Sequence, residues 1–159
     1  MRVKVCCIAG VAEAELALAH GASALGLVSQ MPSGPGVIDD ATIREVARWA
    51  PREVRTFLLT SRTDPHAIAA QVREAGVNTV QLVDALAPGA HAVLRAALPG
   101  IVIVQVVHVR DASSVDEALA LAPAVDAVGP HGLDVCSGVR IEGRLSADRL
   151  QSFVRAVTG

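Results

Sequence analysis

The chain has 159 residues, 52% of them hydrophobic and 19% charged, with a formal net charge of -2. That length suits a single domain over residues 1–159 with its own core, and the charge balance gives no basic footprint for nucleic acid. No apolar run reaches the ~18 residues of a membrane span, and the opening MRVKVCCIAG lacks a signal peptide's long apolar stretch and cleavage site, so no membrane partner is expected.

Aromatic residues make up only 2%, so the core must be built from Ala, Val, Leu and Ile, which suits a parallel sheet covered by helices. The three cysteines are an odd number, and two are adjacent. That is no disulfide framework, and it points to a reducing, cytoplasmic compartment.

Along the chain, short β-branched runs alternate with Ala-rich stretches of helical spacing. The first strand reads as Val3 to Ile8, with Cys6 and Cys7 on opposite faces by simple alternation. A helix over about Val11 to Ala19 stops near Gly21. The second strand, Ala24 to Ser29, leads into the Pro/Gly loop Met31 to Gly36. The second helix starts after Asp39 or Asp40, either of which can cap it, and ends before Pro51. Trp49 closes that helix and is expected to pack under a loop.

The third strand is Arg55 to Thr60. Asp64 and Pro65 are an N-cap and a first-turn proline for a helix ending at Gly76. The fourth strand is Thr79 to Val83, with a helix over about Gly89 to Ala97. The fifth is Ile101 to Val109, with a helix from about Ser114 to Leu121. Two strand-like runs follow, Val125 to Val128 and Leu133 to Val139, and the last helix is about Ser146 to Val157.

Strands every ~20–30 residues with helices between them imply right-handed βαβ crossovers and a parallel sheet. Residues 125 to 139 break the pattern, because a parallel pair needs a crossover of about a dozen residues and none is there. Six strand–helix units and a half-unit fall short of a closed eight-stranded barrel, which typically takes ~250 residues. On length alone an open, doubly wound sheet is the better match.

Four segments carry a family resemblance in the correct order. Val3-Lys4-Val5-Cys6-Cys7-Ile8 resembles the VKICGI opening of phosphoribosylanthranilate isomerases. Gly21 to Val28 resembles that family's GADAVGFVF, and Asn78 to Leu82 resembles its AVQLHG fourth strand. Leu133-Asp134-Val135-Cys136-Ser137-Gly138-Val139 resembles its DVSSGVE eighth strand and loop. The resemblance implies an α/β fold of the parallel (β/α) TIM-barrel type, incomplete, with six to seven strands instead of eight. The end of strand six, helix six, strand seven and much of helix seven are missing from the pattern between Val128 and Leu133.

The family rearranges N-(5-phosphoribosyl)anthranilate by an Amadori reaction in tryptophan biosynthesis, without a cofactor. What this implies for the chain is a small phosphorylated substrate. Cys6 matches the family's catalytic base. Its general acid is an aspartate ending strand six, a segment missing here; Asp126, earlier in the remaining part of that strand, is the carboxylate left to substitute for it. Ser137, Gly138 and Val139 match a phosphate-binding loop. Lys4, Gln81 and Asp134 are expected to line the substrate pocket. Cys7 stands where the family has glycine and is expected to face the helices as core. The loop after strand two lacks the family's arginine, and Val83-Asp84 replaces its His-Gly pair.

The remaining titratable groups carry no site. Asp84 and His108 are read as loop or structural residues, and His20, His66 and His91 as helix-surface residues. No His or Cys spacing suggests a metal, and no GxGxxG or GxxxxGK[ST] is present. A broken barrel exposes strand edges and apolar faces, so a homo-oligomer is expected.

Overall fold

A computed structural model describes residues 2–32, 34–107 and 133–158, together with Asp116 and Ala120. Ser33, His108, Asp126 and most of the segment 114–121 expected to be helical lie outside the described residues.

Six parallel strands form one sheet: β1 (Val3–Val5), β2 (Ala24–Val28), β3 (Arg55–Thr60), β4 (Thr79–Leu82), β5 (Val102–Gln105) and β6 (Leu133–Val135). Their order is β5-β4-β3-β2-β1-β6. The helices between them are α1 (Val11–Ala19), α2 (Asp40–Trp49), α3 (Pro65–Ala75) and α4 (Ala90–Ala97), and α5 (Ala147–Thr158) closes the chain. Leu133 pairs with Val3, not with the fifth strand, so the eighth-strand motif takes the place beside β1 that closes a barrel.

Local chemistry sets most boundaries. Asp39 accepts the Thr42 N–H at 2.7 Å and Asp64 accepts the Ala67 N–H at 2.7 Å, each satisfying a donor at a helix start. Gly76 ends α3 in the left-handed conformation, with φ of 71°.

One face of every strand packs on the helices. Val3, Val5, Leu25, Leu27, Leu58 and Ile103 meet Ile68, Val72, Leu94 and Leu150 in one continuous core. Each fully buried Leu or Ile there contributes about 1.5–3 kcal/mol. The other face carries a smaller cluster of Cys6, Cys7, Val28 and Leu59, bordered by Met31, Phe57, Val83 and Cys136. That second face is concave. Lys4 on β1 bonds to Gln81 on β4, three strands away in the sheet order, at 2.7 Å. Strands ~4.8 Å apart would separate those positions by about 14 Å in a flat sheet, so the sheet curls as a barrel wall does.

The structure departs from the sequence reading at several points. The first strand is shorter, because Cys7 has φ of 61° and breaks the alternation. The ladder then resumes, with the Ile8 N–H bonding to the Gly26 carbonyl at 3.1 Å. Cys6 and Cys7 therefore share one cluster instead of facing apart, and Cys7 is not part of the helix-facing core.

The run after Val135 is a short 3-10 helix (Ser137–Val139), not strand. A hairpin of β7 (Arg140–Ile141) and β8 (Arg144–Leu145) follows it, turning at Glu142 and Gly143, both at positive φ. Trp49 is 39% exposed instead of packed under a loop. His91 is buried instead of exposed, and its Nε2 lies 3.1 Å from Gln105 Oε1.

Candidate active site on the concave face

Alternation along β1 sends Val3 and Val5 to the helices and Lys4 to the concave face. There Lys4 Nζ donates to Asp134 Oδ2 at 2.6 Å and to Gln81 Oε1 at 2.7 Å. It also lies 4.9 Å from the centre of the Phe57 ring, within cation–π range. The three residues expected to line a pocket thus form one bonded group drawn from β1, β4 and β6. Asp134 is half exposed, so solvent screens its pair with Lys4 and holds its worth to about 1 kcal/mol.

Cys6 lies one alternation beyond Lys4, and Gly26 of β2 makes room for both. A Cβ at residue 26 would stand 2.9 Å from Cys6 Sγ and 3.0 Å from Lys4 Cε. The Cys6 thiol titrates at about 7, below its ordinary 9.0. A hydrogen bond from the Cys7 thiol is the largest cause, burial opposes it, the Lys4 charge assists, and the Asp134 charge opposes. Cys7 is pushed far upward, first by its hydrogen bond to Cys6 and then by burial and Cys136. Of the adjacent pair, Cys6 is therefore the lowered thiol and Cys7 the raised one.

Cys136 follows β6 and lies 2.9 Å from Cys7, sulfur to sulfur. The loop after β2 closes over the same group, where the Pro35 carbonyl lies 3.4 Å from the Cys7 sulfur. The loop after β6 therefore stands on the same side of the sheet as Cys6. Ser137 and Gly138 are exposed there, whereas the Val139 side chain is buried in the helix-facing core. Any anion contact from Val139 is thus confined to its backbone.

Two residues central to this end of the sheet were not singled out from the sequence. Arg140 lies 3.0 Å from Glu13 Oε1 and donates to the Cys6 carbonyl at 3.1 Å and the Cys7 carbonyl at 2.5 Å. Glu13 also accepts the Leu145 N–H at 3.0 Å and the Ala9 N–H at 3.1 Å. Burial raises the Glu13 carboxyl, but the Arg140 hydrogen bond, the two N–H groups and the Arg140 charge outweigh it and leave it lowered. The signal available was the departure at residue 140, an arginine where the DVSSGVE pattern ends in glutamate.

No protein-family model matches the chain. Among curated proteins it is 31% identical over 127 residues to N-(5'-phosphoribosyl)anthranilate isomerase of Thermosynechococcus vestitus, covering 79% of this chain and 54% of that protein. It is 30% identical over 138 residues to N-(5'-phosphoribosyl)anthranilate isomerase 2 of Methanosarcina mazei, covering 86% of this chain and 61% of the other. The chain thus spans little more than half the length of these relatives. Among solved structures, a phosphoribosyl anthranilate isomerase in complex with reduced 1-(o-carboxyphenylamino)-1-deoxyribulose 5-phosphate superposes with a TM-score of 0.81 at 21% identity. That match covers 98% of this chain and 97% of the other.

Proposed function

We propose that this chain, which resembles phosphoribosylanthranilate isomerases in sequence and shares their barrel-type fold, carries a reduced form of their Amadori isomerase site. The observation that carries the reading is the Cys6 thiol. It is lowered to about 7 on the concave face, beside Lys4 and on the same side as the loop after β6.

In this reading the Cys6 thiolate removes the proton from the sugar carbon next to the amine-bearing carbon, once the ribose ring has opened to a Schiff base. A thiol titrating near the working pH serves well as such a base. Asp126 is assigned the acid that protonates the ring oxygen. Ser137 and Gly138 are assigned the substrate phosphate, and Lys4, Gln81 and Asp134 the floor of the pocket. The substrate is a small phosphorylated aminobenzoate, as in the relative solved with a carboxyphenylamino deoxyribulose phosphate.

The test is turnover of N-(5-phosphoribosyl)anthranilate, followed by loss of aminobenzoate fluorescence. Removal of a general base costs about 10²–10⁴-fold, so Cys6→Ala is expected to abolish measurable rate, and Asp126→Asn to lower it comparably. Wild-type turnover in Cys6→Ala would remove the assignment.

One observation favours a second reading, a binding or scaffold protein derived from this barrel. Cys6 is only 6% exposed, so a substrate reaches it only if the covering loop yields. A chain that binds the substrate phosphate without turning it over would establish that alternative.

The same architecture supports self-association. Among the described residues β6 ends the sheet, and its Leu133 is 39% exposed. An open strand edge with an apolar residue is a template for a second copy. Light scattering behind size exclusion is expected to show a mass above the monomer, and a monomer at high concentration would exclude it.

A further inference from the structure

Cys7 and Cys136 are 129 positions apart in sequence, yet their sulfurs lie 2.9 Å apart, because β6 docks on β1 and the two strands end together. Both are departures from the motifs quoted above. Cys7 stands where the family pattern has glycine, and Cys136 where DVSSGVE has its first serine. Cys7 also adopts φ of 61°, a conformation that suits glycine and strains a side chain with a Cβ. The chain keeps a thiol there against its own backbone preference, and the structure places the matching thiol opposite it. We propose that Cys7 and Cys136 are a dithiol oxidation site, which a hydroperoxide converts to a disulfide stapling the end of β1 to the end of β6. This inference is independent of the isomerase reading.

Three further features point the same way. Cys136 is half-buried, so a small oxidant can reach it, whereas Cys6 and Cys7 are buried behind it. The sulfurs need only close from 2.9 Å to the bond length of about 2.05 Å, at the edge of the sheet where β6 has one neighbour among the described residues. Cys6, the lowered thiol, lies in the same cluster as Cys7 and can relay the Cys7 proton to the departing hydroxyl as the bond forms.

The step balances in two stages. The Cys136 sulfur attacks one peroxide oxygen, the O–O bond breaks, and sulfenic acid and water result. The Cys7 sulfur then attacks the sulfenic sulfur, and the hydroxyl group leaves as water with the Cys7 proton. The two thiols lose two electrons and two hydrogens, and hydrogen peroxide is reduced to two waters.

The test uses the full chain, fully reduced, then treated with stoichiometric hydrogen peroxide, alkylated and analysed by peptide mass spectrometry. The expected result is a fall from three free thiols to one. The survivor is Cys6, an intramolecular peptide pair contains Cys136, and dithiothreitol restores all three. Cys7→Gly suits the local φ, so it should fold as the parent does by circular dichroism, and it should give no cross-link. Cys6→Ser should still give it. A cross-link at parental yield in Cys7→Gly, an intermolecular bridge, or oxidation of Cys6 alone would each overturn the proposal.

Discussion

Lys4 on the first strand bonds to Gln81 on the fourth at 2.7 Å, across two intervening strands. The contact is a measure of how far the sheet has curled. It also fixes the ammonium over the concave face, where its charge acts on the Cys6 thiol. Lys4 and Asp134 act on that thiol with opposite sign. Lys4→Met is expected to raise the Cys6 pKa above about 7, and Asp134→Asn to lower it. The pH dependence of Cys6 alkylation by iodoacetamide, read peptide by peptide, would show the two shifts. A common direction for both variants would refute the account.

The rate of any isomerisation should follow the same titration. With Cys6 as base, activity rises with pH through about 7 as the thiolate forms. Because the hydrogen bond from the Cys7 thiol is the largest cause of the lowering, Cys7→Ala should move this limb upward. A rate profile that is flat from pH 6 to 9, at roughly constant fold content, would show that another group is the base.

Gly26 has no spare room. A Cβ there would press on Cys6 Sγ at 2.9 Å and on the Cys6 Cα at 3.0 Å, and backbone cannot move aside as a side-chain end can. Gly26→Ala should cost about 1–3 kcal/mol, as overpacking does elsewhere. Urea denaturation would show a lower midpoint with an unchanged slope. A midpoint equal to the parent's would mean that β1 and β2 part without penalty.

The Glu13–Arg140 pair ties the start of α1 to the chain after β6. Both side chains are largely buried, at 18% and 9% exposed, and the carboxylate accepts two backbone N–H groups besides. Glu13→Gln leaves the guanidinium without its counter-charge and should cost about 2 kcal/mol at neutral pH. The pH dependence follows from the sign of the shift. The folded pKa of Glu13 lies below its ordinary 4.5, so its stabilisation is complete above 4.5 and is lost as pH falls through the folded value. Thermal unfolding of parent and variant should therefore differ at pH 7 and converge in acid. A constant difference at all pH values would assign the effect to packing.

Much of the architecture is legible in the sequence. The bounds of α1, β2, β3 and α3 follow from short-range rules: apolar periodicity, aspartate caps at Asp39 and Asp64, and a left-handed glycine at Gly76. The break in crossover pattern between residues 125 and 139 was visible for the same reason, since a parallel pair has a minimum connection length. The sulfur cluster was not visible, because alternation predicts opposite faces for Cys6 and Cys7 and only the positive φ at Cys7 brings them together. Nor was the hairpin at Glu142–Gly143, whose two-residue turn sits between strands too short to give a periodic signal.

The sequence by itself determined most of the strands and helices among the described residues, because those depend on neighbours a few residues away. Tertiary structure decided which residues meet. Lys4 lies 77 positions from Gln81 and 130 from Asp134, and Glu13 lies 127 from Arg140. Those encounters depend on strand order, register and the curl of the sheet, which arise from the packing of the whole chain and leave no mark in any local window.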